Sequence, residues 1–213
     1  AFEHPSVREV ALALQSEGYE LCEVGRQMQF QRAPACGFAA FAPHLSGSVA
    51  VVSVMMANNE TGFLFPVPEI AREVRRLSPA TLVHTDGVQA CGKASVQWRE
   101  LDVDMLTLSA HKIGGLAGVG ALVVRKGVTL PPMLLGGPQE VRHRAGTENV
   151  WGIYAFGVAA RTFIARGEAL RKVMREHREV IESELLRAVP DCVVHRCEEQ
   201  SLSNTLSVRI PGI

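Results

Sequence analysis

Apolar runs and amphipathic stretches alternate along most of this chain. Short runs rich in valine, leucine and methionine predict buried strands, and stretches with an apolar residue every three or four positions predict helices. The predicted strands are residues 19–24, 48–56, 80–84, 105–109, 121–125, 192–195 and 205–210. The predicted helices are residues 6–15, 66–77 and 147–189, the last interrupted near Gly167. Residues 27–43 have little periodicity, and we assign no element there.

The order of these elements predicts the class of fold. Strands that alternate with helices are typical of a mainly parallel sheet, because neighbouring parallel strands need a crossover connection. We therefore expect an α/β fold, a three-layer α/β/α sandwich with a mainly parallel sheet. Residues 1–190 are expected to form one large domain, and residues 191–213 to begin a second, smaller one.

The composition of the chain argues against several classes of function. The 213 residues are 47% hydrophobic, and Lys+Arg and Asp+Glu number 22 each. A chain without net charge or a basic run is not expected to bind nucleic acid. No apolar stretch reaches the roughly 20 residues of a membrane-spanning helix, and the first residues do not resemble a signal peptide. Five dispersed cysteines without CxxC pairs predict reduced thiols and a cytoplasmic location.

Two predicted strands end in chemically active side chains. Asp86 and Gln89 follow the strand at 80–84, and Lys112 follows the strand at 105–109. In an open α/β sheet, ligands bind at the carboxyl ends of the strands. An amine that condenses with an aldehyde, beside a carboxylate that holds a ring nitrogen protonated, is what pyridoxal phosphate chemistry requires.

Further polar residues fit the same site. Ser109 and His111 stand at alternate positions, so in a strand they would share a face and could bind a phosphate together. Residues 58–62 (NNETG) follow the valine-rich strand and have the small polar composition of a turn.

Four motifs in order resemble the cysteine desulfurases and the related selenocysteine lyases, pyridoxal phosphate enzymes of the class V aminotransferase group. One motif alone would be a weak signal, but the order and spacing of all four fit this family from His4 to about Ile210. The motifs are NNETG at 58–62, HTDGVQ at 84–89, SAHK at 109–112 and RAGTEN at 144–149.

The resemblance implies roles for three residues around the cofactor ring. Lys112 matches the lysine that binds the cofactor. His4 matches the histidine that stacks on the ring and takes part in proton transfer. Asp86 matches the residue that binds the ring nitrogen. The large domain would then be that of fold-type I pyridoxal phosphate enzymes.

The resemblance also implies roles for residues around the ring substituents and the phosphate. Gln89 and Asn59 match residues near the ring oxygen and the substrate. Ser109 and His111 match phosphate ligands. Thr147 matches a threonine that reaches the phosphate in the partner subunit of a homodimer.

The implied reaction removes sulfur or selenium from L-cysteine or L-selenocysteine and leaves alanine, with pyridoxal 5'-phosphate as cofactor and a sulfur-acceptor protein of iron–sulfur assembly as a possible partner. Two alternatives stay open. One is a class V aminotransferase acting on a small amino acid, although Gln89 and the motif at 144–149 favour the desulfurase. The other is a non-catalytic remnant of the pyridoxal phosphate fold, or a dimerisation module, that at most binds the cofactor.

The chain also departs from the family pattern. The family's Gly-Thr phosphate loop, its catalytic cysteine loop and its substrate-binding arginine correspond to positions outside residues 1–213. We therefore expect a cofactor domain incomplete at its N-terminus, a truncated small domain, and cofactor binding without cysteine turnover. Pro138, Val141 and Leu116-Ala117 also differ from the usual loop residues.

Simpler interpretations exist for single residues. Lys112 taken alone would be a solvated surface lysine, and only its neighbouring motifs favour the cofactor role. His84 and Asp86 form an HxD pair, but one pair is not a metal site, so we predict no metal. Cys91 lies near Gln89 without an adjacent group that would activate it, which favours a buried small residue.

Overall fold

The computed structural model describes residues 2–25, 38–45, 47–195 and 200–212. Of the stretch at 27–43, to which we assigned no element, residues 27–37 lie outside the described residues. The α-helices are α1 Pro5–Ser16, α2 Val67–Leu77, α3 Trp98–Leu101 and α4 Val150–Ala188. The strands are β1 Val51–Ser53, β2 Leu82–Asp86, β3 Met105–Ser109, β4 Gly120–Val124, β5 Val193–His195 and β6 Ser207–Arg209. Short 3-10 turns lie at Phe38–Ala40, Ala42–His44, Ala110–Ile113 and Gln139–Arg142.

The main sheet has four strands in the order β1-β2-β3-β4. Strands β1, β2 and β3 are parallel, and β4 is antiparallel to β3. This confirms the predicted α/β fold with a mainly parallel sheet. Because β2 and β3 are parallel neighbours, Asp86 at the end of β2 pairs in register with Thr107 near the end of β3.

Strand β2 covers residues 82–86, two residues later than the interval 80–84 predicted from the apolar run. Asp86 is therefore a strand residue rather than a residue of the following turn. The valine-rich stretch is shorter than predicted as a strand, because only Val51–Ser53 forms β1. Hydrogen bonds nevertheless continue past β1, since the amides of Val54 and Met56 donate to the carbonyls of His84 and Asp86 at 3.1 and 2.8 Å.

Helix α2 covers the sheet with one apolar side. Val67, Ile70, Ala71 and Val74 recur at helical spacing, and all four are fully buried in the core. At about 1.5–3 kcal/mol for each fully buried aliphatic side chain larger than alanine, this side contributes several kcal/mol to folding. The core thereby holds the strands whose ends carry the polar motifs.

A buried carboxylate joins the starts of β2 and β3. Asp104 is almost fully buried, and its Oδ1 lies 3.2 Å from Arg75 Nη2 and 3.1 Å from Arg125 Nε. Its Oδ2 accepts a hydrogen bond of 2.9 Å from the amide of Val83. Asp102, with a third of its side chain exposed, pairs with the same two arginines. These ion pairs and hydrogen bonds join the strands at their amino-terminal ends, opposite to the ends that carry the polar residues.

The strand predicted at 19–24 was wrong. Gly18 adopts φ +98°, and the chain turns back along α1 so that Tyr19 donates its amide proton to the Leu14 carbonyl at 3.2 Å. Glu23 accepts a 2.7 Å bond from Arg8 of α1. This segment contacts α1 and pairs with no described strand.

The predicted interruption near Gly167 was also wrong, because α4 is continuous over 39 residues. A single glycine costs a helix about 1 kcal/mol relative to alanine, and strong helix formers surround Gly167. After α4, strands β5 and β6 form a separate antiparallel pair. Within the described part of the chain, no helix combines the length and the apolar character needed to cross a membrane.

Candidate functional site

The polar side chains predicted to carry chemistry gather at the carboxyl ends of β2 and β3. Asp86 ends β2, and Lys112 lies in the 3-10 turn Ala110–Ile113 that directly follows β3. Since these strands are parallel neighbours, both residues lie at the same edge of the sheet. The structure thus puts a carboxylate and an amine at the same edge of the sheet, which is where ligands bind in α/β sheets.

Asp86 is a buried carboxylate with one oxygen in use. Its Oδ1 accepts a hydrogen bond of 2.8 Å from the amide of Val88, and its other oxygen has no donor among the described residues. Lys112 is exposed and has no hydrogen-bond partner within the described ranges. One buried acceptor and one accessible amine are therefore available to a ligand.

A second carboxyl group lies beside Asp86. Burial and the negative charge of Asp86 raise the pKa of Glu3 to about 7. Its Oε1 accepts a weak 3.4 Å bond from Ser53, and its Oε2 is buried without a partner among the described residues. Two carboxylates in a poorly solvated place do not ionise together easily, so Glu3 holds its proton to higher pH than an ordinary glutamate.

His84 links the three parallel strands. Its Nδ1 lies 2.9 Å from the hydroxyl of Ser53 on β1, and its Nε2 lies 2.8 Å from the hydroxyl of Thr107 on β3. Burial lowers the pKa of His84, although the charge of Asp86 acts in the opposite direction. The ring is therefore a neutral bridge between two hydroxyls, which is a structural role.

Gln89 lies in the turn after β2 and contacts a lysine. Lys93 Nζ donates a hydrogen bond to Gln89 Oε1. Burial, and then the positive charge of Lys112, lower the pKa of Lys93. Lys93, which contacts Gln89, therefore also interacts electrostatically with Lys112.

Ser109 and His111 meet, though not in the way predicted. We expected them to share a face of one strand, but β3 ends at Ser109 and His111 belongs to the 3-10 turn. Ser109 Oγ nevertheless lies 2.8 Å from His111 Nδ1. The hydroxyl of Ser109 and the imidazole of His111 form one polar pair, and His111 directly precedes Lys112 in the sequence.

His4 is the N-cap of α1. Its Nδ1 accepts a 3.2 Å hydrogen bond from the amide of Ser6. When His4 is neutral, an Nδ1 that accepts leaves the ring proton on Nε2. The ring is exposed, and the adjacent Glu3 interacts with Asp86, so His4 lies near the same strand ends.

Asn59 is exposed on a turn that its neighbour Asn58 holds. Asn58 Oδ1 accepts bonds of 3.0 and 2.9 Å from the amides of Glu60 and Thr61, and its Nδ2 donates to the Phe2 carbonyl at 3.3 Å. Asn58 is buried, whereas Asn59 faces solvent. The turn is thereby tied to the segment that carries His4.

Thr147 lies apart from these contacts, in an exposed segment before α4. The preceding residues pair with the segment at 133–134, since Met133 donates to His143 at 2.7 Å and Ala145 to Leu134 at 3.1 Å. No contact within the described residues joins Thr147 to Asp86 or Lys112. Its predicted role in a partner subunit stays a prediction.

Glu3 and Lys93 were missed by the sequence analysis. Their positions held weak signals, because Glu3 precedes His4 and Lys93 follows Gln89 by four residues. Nothing in the apolar pattern indicates that either side chain turns toward the strand ends. Of the cysteines that the structure describes, Cys22 is exposed, Cys192 is buried and Cys91 is half-buried, with a thiol pKa raised by burial.

Comparison with known proteins identifies the family. The aminotransferase class-V family model matches residues 1–213. A cysteine desulfurase of Nostoc sp. is 39% identical over 206 residues, which cover 97% of this chain and 50% of that protein. Cysteine desulfurase NifS of Azotobacter vinelandii is 37% identical over 206 residues, with the same two coverages of 97% and 50%.

Solved structures of related proteins have the same fold as this chain. A NifS-like protein superposes with a TM-score of 0.91 at 33% identity, over all of this chain and 56% of the other. DndA from Streptomyces lividans gives a TM-score of 0.83 at 30% identity, over 96% of this chain and 57% of the other. The chain spans about half the length of the relatives it matches. It belongs to the class-V aminotransferases, a family of pyridoxal phosphate-dependent enzymes, and its homologues include cysteine desulfurases.

Proposed function

We propose that this chain forms the cofactor-binding part of a pyridoxal phosphate-dependent cysteine desulfurase, which takes sulfur or selenium from L-cysteine or L-selenocysteine and leaves alanine. The observation that carries the proposal is the placement of Asp86 and Lys112 after the ends of adjacent parallel strands. Asp86 is buried and has a hydrogen bond to only one of its two carboxylate oxygens, whereas Lys112 is exposed. The relatives named cysteine desulfurase support the choice of reaction over transamination.

The residues of the site fit the cofactor. When bound, pyridoxal phosphate supplies an aldehyde and an electron-withdrawing ring. Lys112 would bind the aldehyde carbon through its amine. The second oxygen of Asp86 would accept a hydrogen bond from the protonated ring nitrogen, which is a charge-assisted bond in a buried place.

The phosphate and the substrate would be held by the exposed polar residues. Ser109 and His111, already 2.8 Å apart, would donate to phosphate oxygens. Asn59 lies on the turn held by Asn58, where it would contact the substrate side of the ring. His4, whose Nδ1 accepts a hydrogen bond from the Ser6 amide, would stack on the ring and move a proton between the substrate and solvent.

Transfer of sulfur needs one more group. The carbon–sulfur bond of cysteine breaks when an accepting thiolate takes the sulfur as a persulfide, while the remaining three-carbon skeleton becomes alanine. The thiolate, not the thiol, is the nucleophile. Burial raises the pKa of Cys91 and opposes its ionisation. We therefore propose that the accepting thiolate comes from another cysteine and then passes sulfur to an acceptor protein.

The proposed enzyme is a homodimer. Four large apolar side chains between residues 135 and 154, which we together call the α4 surface, are exposed: Leu135, Val141, Trp151 and Tyr154, with exposed fractions of 87, 86, 81 and 67%. Exposed apolar groups of this kind mark interaction sites. Thr147 lies within the same stretch, so a second copy related by a two-fold axis would receive Thr147 at its phosphate site and give its own in return.

The experiment is a cofactor titration followed by an assay of products. We expect the chain to develop visible absorption on addition of pyridoxal phosphate, and Lys112→Ala to lose it, whereas the exposed control Lys126→Ala keeps it. With cysteine and an accepting thiol, a chain that contains its accepting cysteine should form alanine and persulfide in equal amounts. Exchange of amino groups with a 2-oxo acid would instead support an aminotransferase, and absence of cofactor binding would refute the proposal.

A further inference from the structure

Lys93 lies beside the candidate site without a role in the reaction described above. Its Nζ donates to Gln89 Oε1, and the side chain is half-buried. The backbone of Lys93 is fixed on both sides, since its amide donates to the Ala90 carbonyl at 3.0 Å and its carbonyl accepts a 3.2 Å bond from the buried Ser203 hydroxyl. The lysine is therefore held by the fold rather than extended into solvent.

The hydrogen bond determines which way the carboxamide of Gln89 faces. A lysine ammonium has three donors and no acceptor, so the atom that it contacts must be the carbonyl oxygen of Gln89 and not the NH2 group. The NH2 group consequently points away from Lys93 and remains a donor. The ring oxygen of pyridoxal phosphate carries negative charge when ionised, so it needs a donor and not a second acceptor.

The charges around Lys93 link this pair to Lys112. Burial lowers the pKa of Lys93, the charge of Lys112 lowers it further, and the thiol of Cys91 opposes the shift. Long lysine side chains usually extend so that the charged end reaches water. Here the half-buried ammonium interacts with the charge of Lys112, and it donates to Gln89 Oε1.

We propose that Lys93 is a positioning residue that acts through Gln89: it binds the carbonyl oxygen of Gln89 and so presents the NH2 group to the ring oxygen of pyridoxal phosphate. The proposal rests on the proposed function, because it assumes that the cofactor binds at Lys112. Lys93 itself is not among the residues proposed to contact the cofactor.

The test measures how tightly pyridoxal phosphate binds and how its visible absorption changes with pH. Lys93→Met removes the donor with little change in volume, Lys93→Arg keeps a donor and a charge, and Lys126→Met is the exposed control. A donor on the ring oxygen stabilises the anionic form of the cofactor. We therefore expect Lys93→Met to weaken binding by about tenfold, or ~1.4 kcal/mol, and to move the pH midpoint of the absorption change upward.

A double-mutant cycle with Gln89→Leu separates action through Gln89 from a general effect on folding. In the Gln89→Leu background, we expect Lys93→Met to have almost no further effect on the pH midpoint, and Lys93→Arg alone should restore most of the normal value. Urea unfolding of each variant shows whether the chain stays folded, and Lys93→Gln replaces the methionine variant if that one unfolds.

Three results would be decisive against the proposal. The midpoint of Lys93→Met could equal that of Lys126→Met, the shift could persist undiminished in the Gln89→Leu background, or Lys93→Arg could behave like Lys93→Met. Failure of the unsubstituted chain to bind pyridoxal phosphate would refute the proposed function instead. The two failures are therefore distinguishable.

Discussion

The carboxyl group of Glu3 allows a test of the site through protein stability alone. Glu3 lies beside Asp86 in a poorly solvated place, and burial and the Asp86 charge raise its pKa from 4.5 to about 7. Substitution Glu3→Gln keeps the shape of the side chain and removes the ionisation. The cost of ionising a second carboxylate at this position is thereby removed as well.

The sign and size of the effect follow from proton linkage. Between pH 4.5 and about 7 the folded protein holds the Glu3 proton while the unfolded chain has lost it, so the free energy of unfolding falls as pH rises. Each unit of pKa difference corresponds to about 1.4 kcal/mol, so this group destabilises the folded state by up to ~3 kcal/mol above pH 7 relative to pH 4.5. Glu3→Gln should lack this part of the pH dependence.

The assay is urea unfolding followed by tryptophan fluorescence at pH 5 and pH 8. We expect Glu3→Gln to unfold at nearly the same urea concentration as the unsubstituted chain at pH 5, and at a clearly higher concentration at pH 8. The exposed Glu20→Gln variant is the matched control and should follow the unsubstituted chain at both values. A Glu3→Gln variant with the same pH dependence as the unsubstituted chain would refute the reasoning about Glu3 and Asp86.

Three further predictions concern the fold that supports the site. Asp104→Asn should lower the free energy of unfolding by about 3 kcal/mol because it leaves two arginines near a neutral group, whereas Asp102→Asn, partly exposed, should cost less than about 1 kcal/mol; equal losses in urea unfolding would contradict this. Trp151→Glu should shift the sedimenting species from dimer to monomer, and an unchanged dimer would exclude the α4 surface. Gly87→Ala should weaken binding of pyridoxal phosphate, because the new Cβ would lie 2.5 Å from a leucine methyl of β3; unchanged affinity would show that the turn adapts.

The apolar pattern predicted the sheet well because buried parallel strands are continuous apolar runs. It located β3 at residues 105–109, as observed, and β2 two residues too early. The error arose because Thr85 and Asp86 are polar, and their polarity was taken to mark the end of the strand. Hydrogen bonds of His84 to hydroxyls on both neighbouring strands allow polar residues to continue it.

The other differences have similar causes. Residues 19–24 have the composition of a strand, but a strand needs a partner, and here Arg8 binds Glu23 and holds the segment to α1. The contacts of Glu3 and Lys93 with the site arise from tertiary packing, which local periodicity does not contain. By contrast, the motifs put Asp86, Gln89 and Lys112 after two predicted strands, and these strands are parallel neighbours, so that all three residues follow strands at the same edge of the sheet.

The central claim is that Lys112 is the residue that binds pyridoxal phosphate. The most direct measurement is to add the cofactor, reduce the protein with borohydride so that the bond to the amine becomes permanent, and locate the modified residue by peptide mass spectrometry. We predict a single modified site at Lys112, with Lys93 unmodified although it lies nearby. Modification of Lys93 with Lys112 untouched, or of neither lysine at saturating cofactor, would contradict the account.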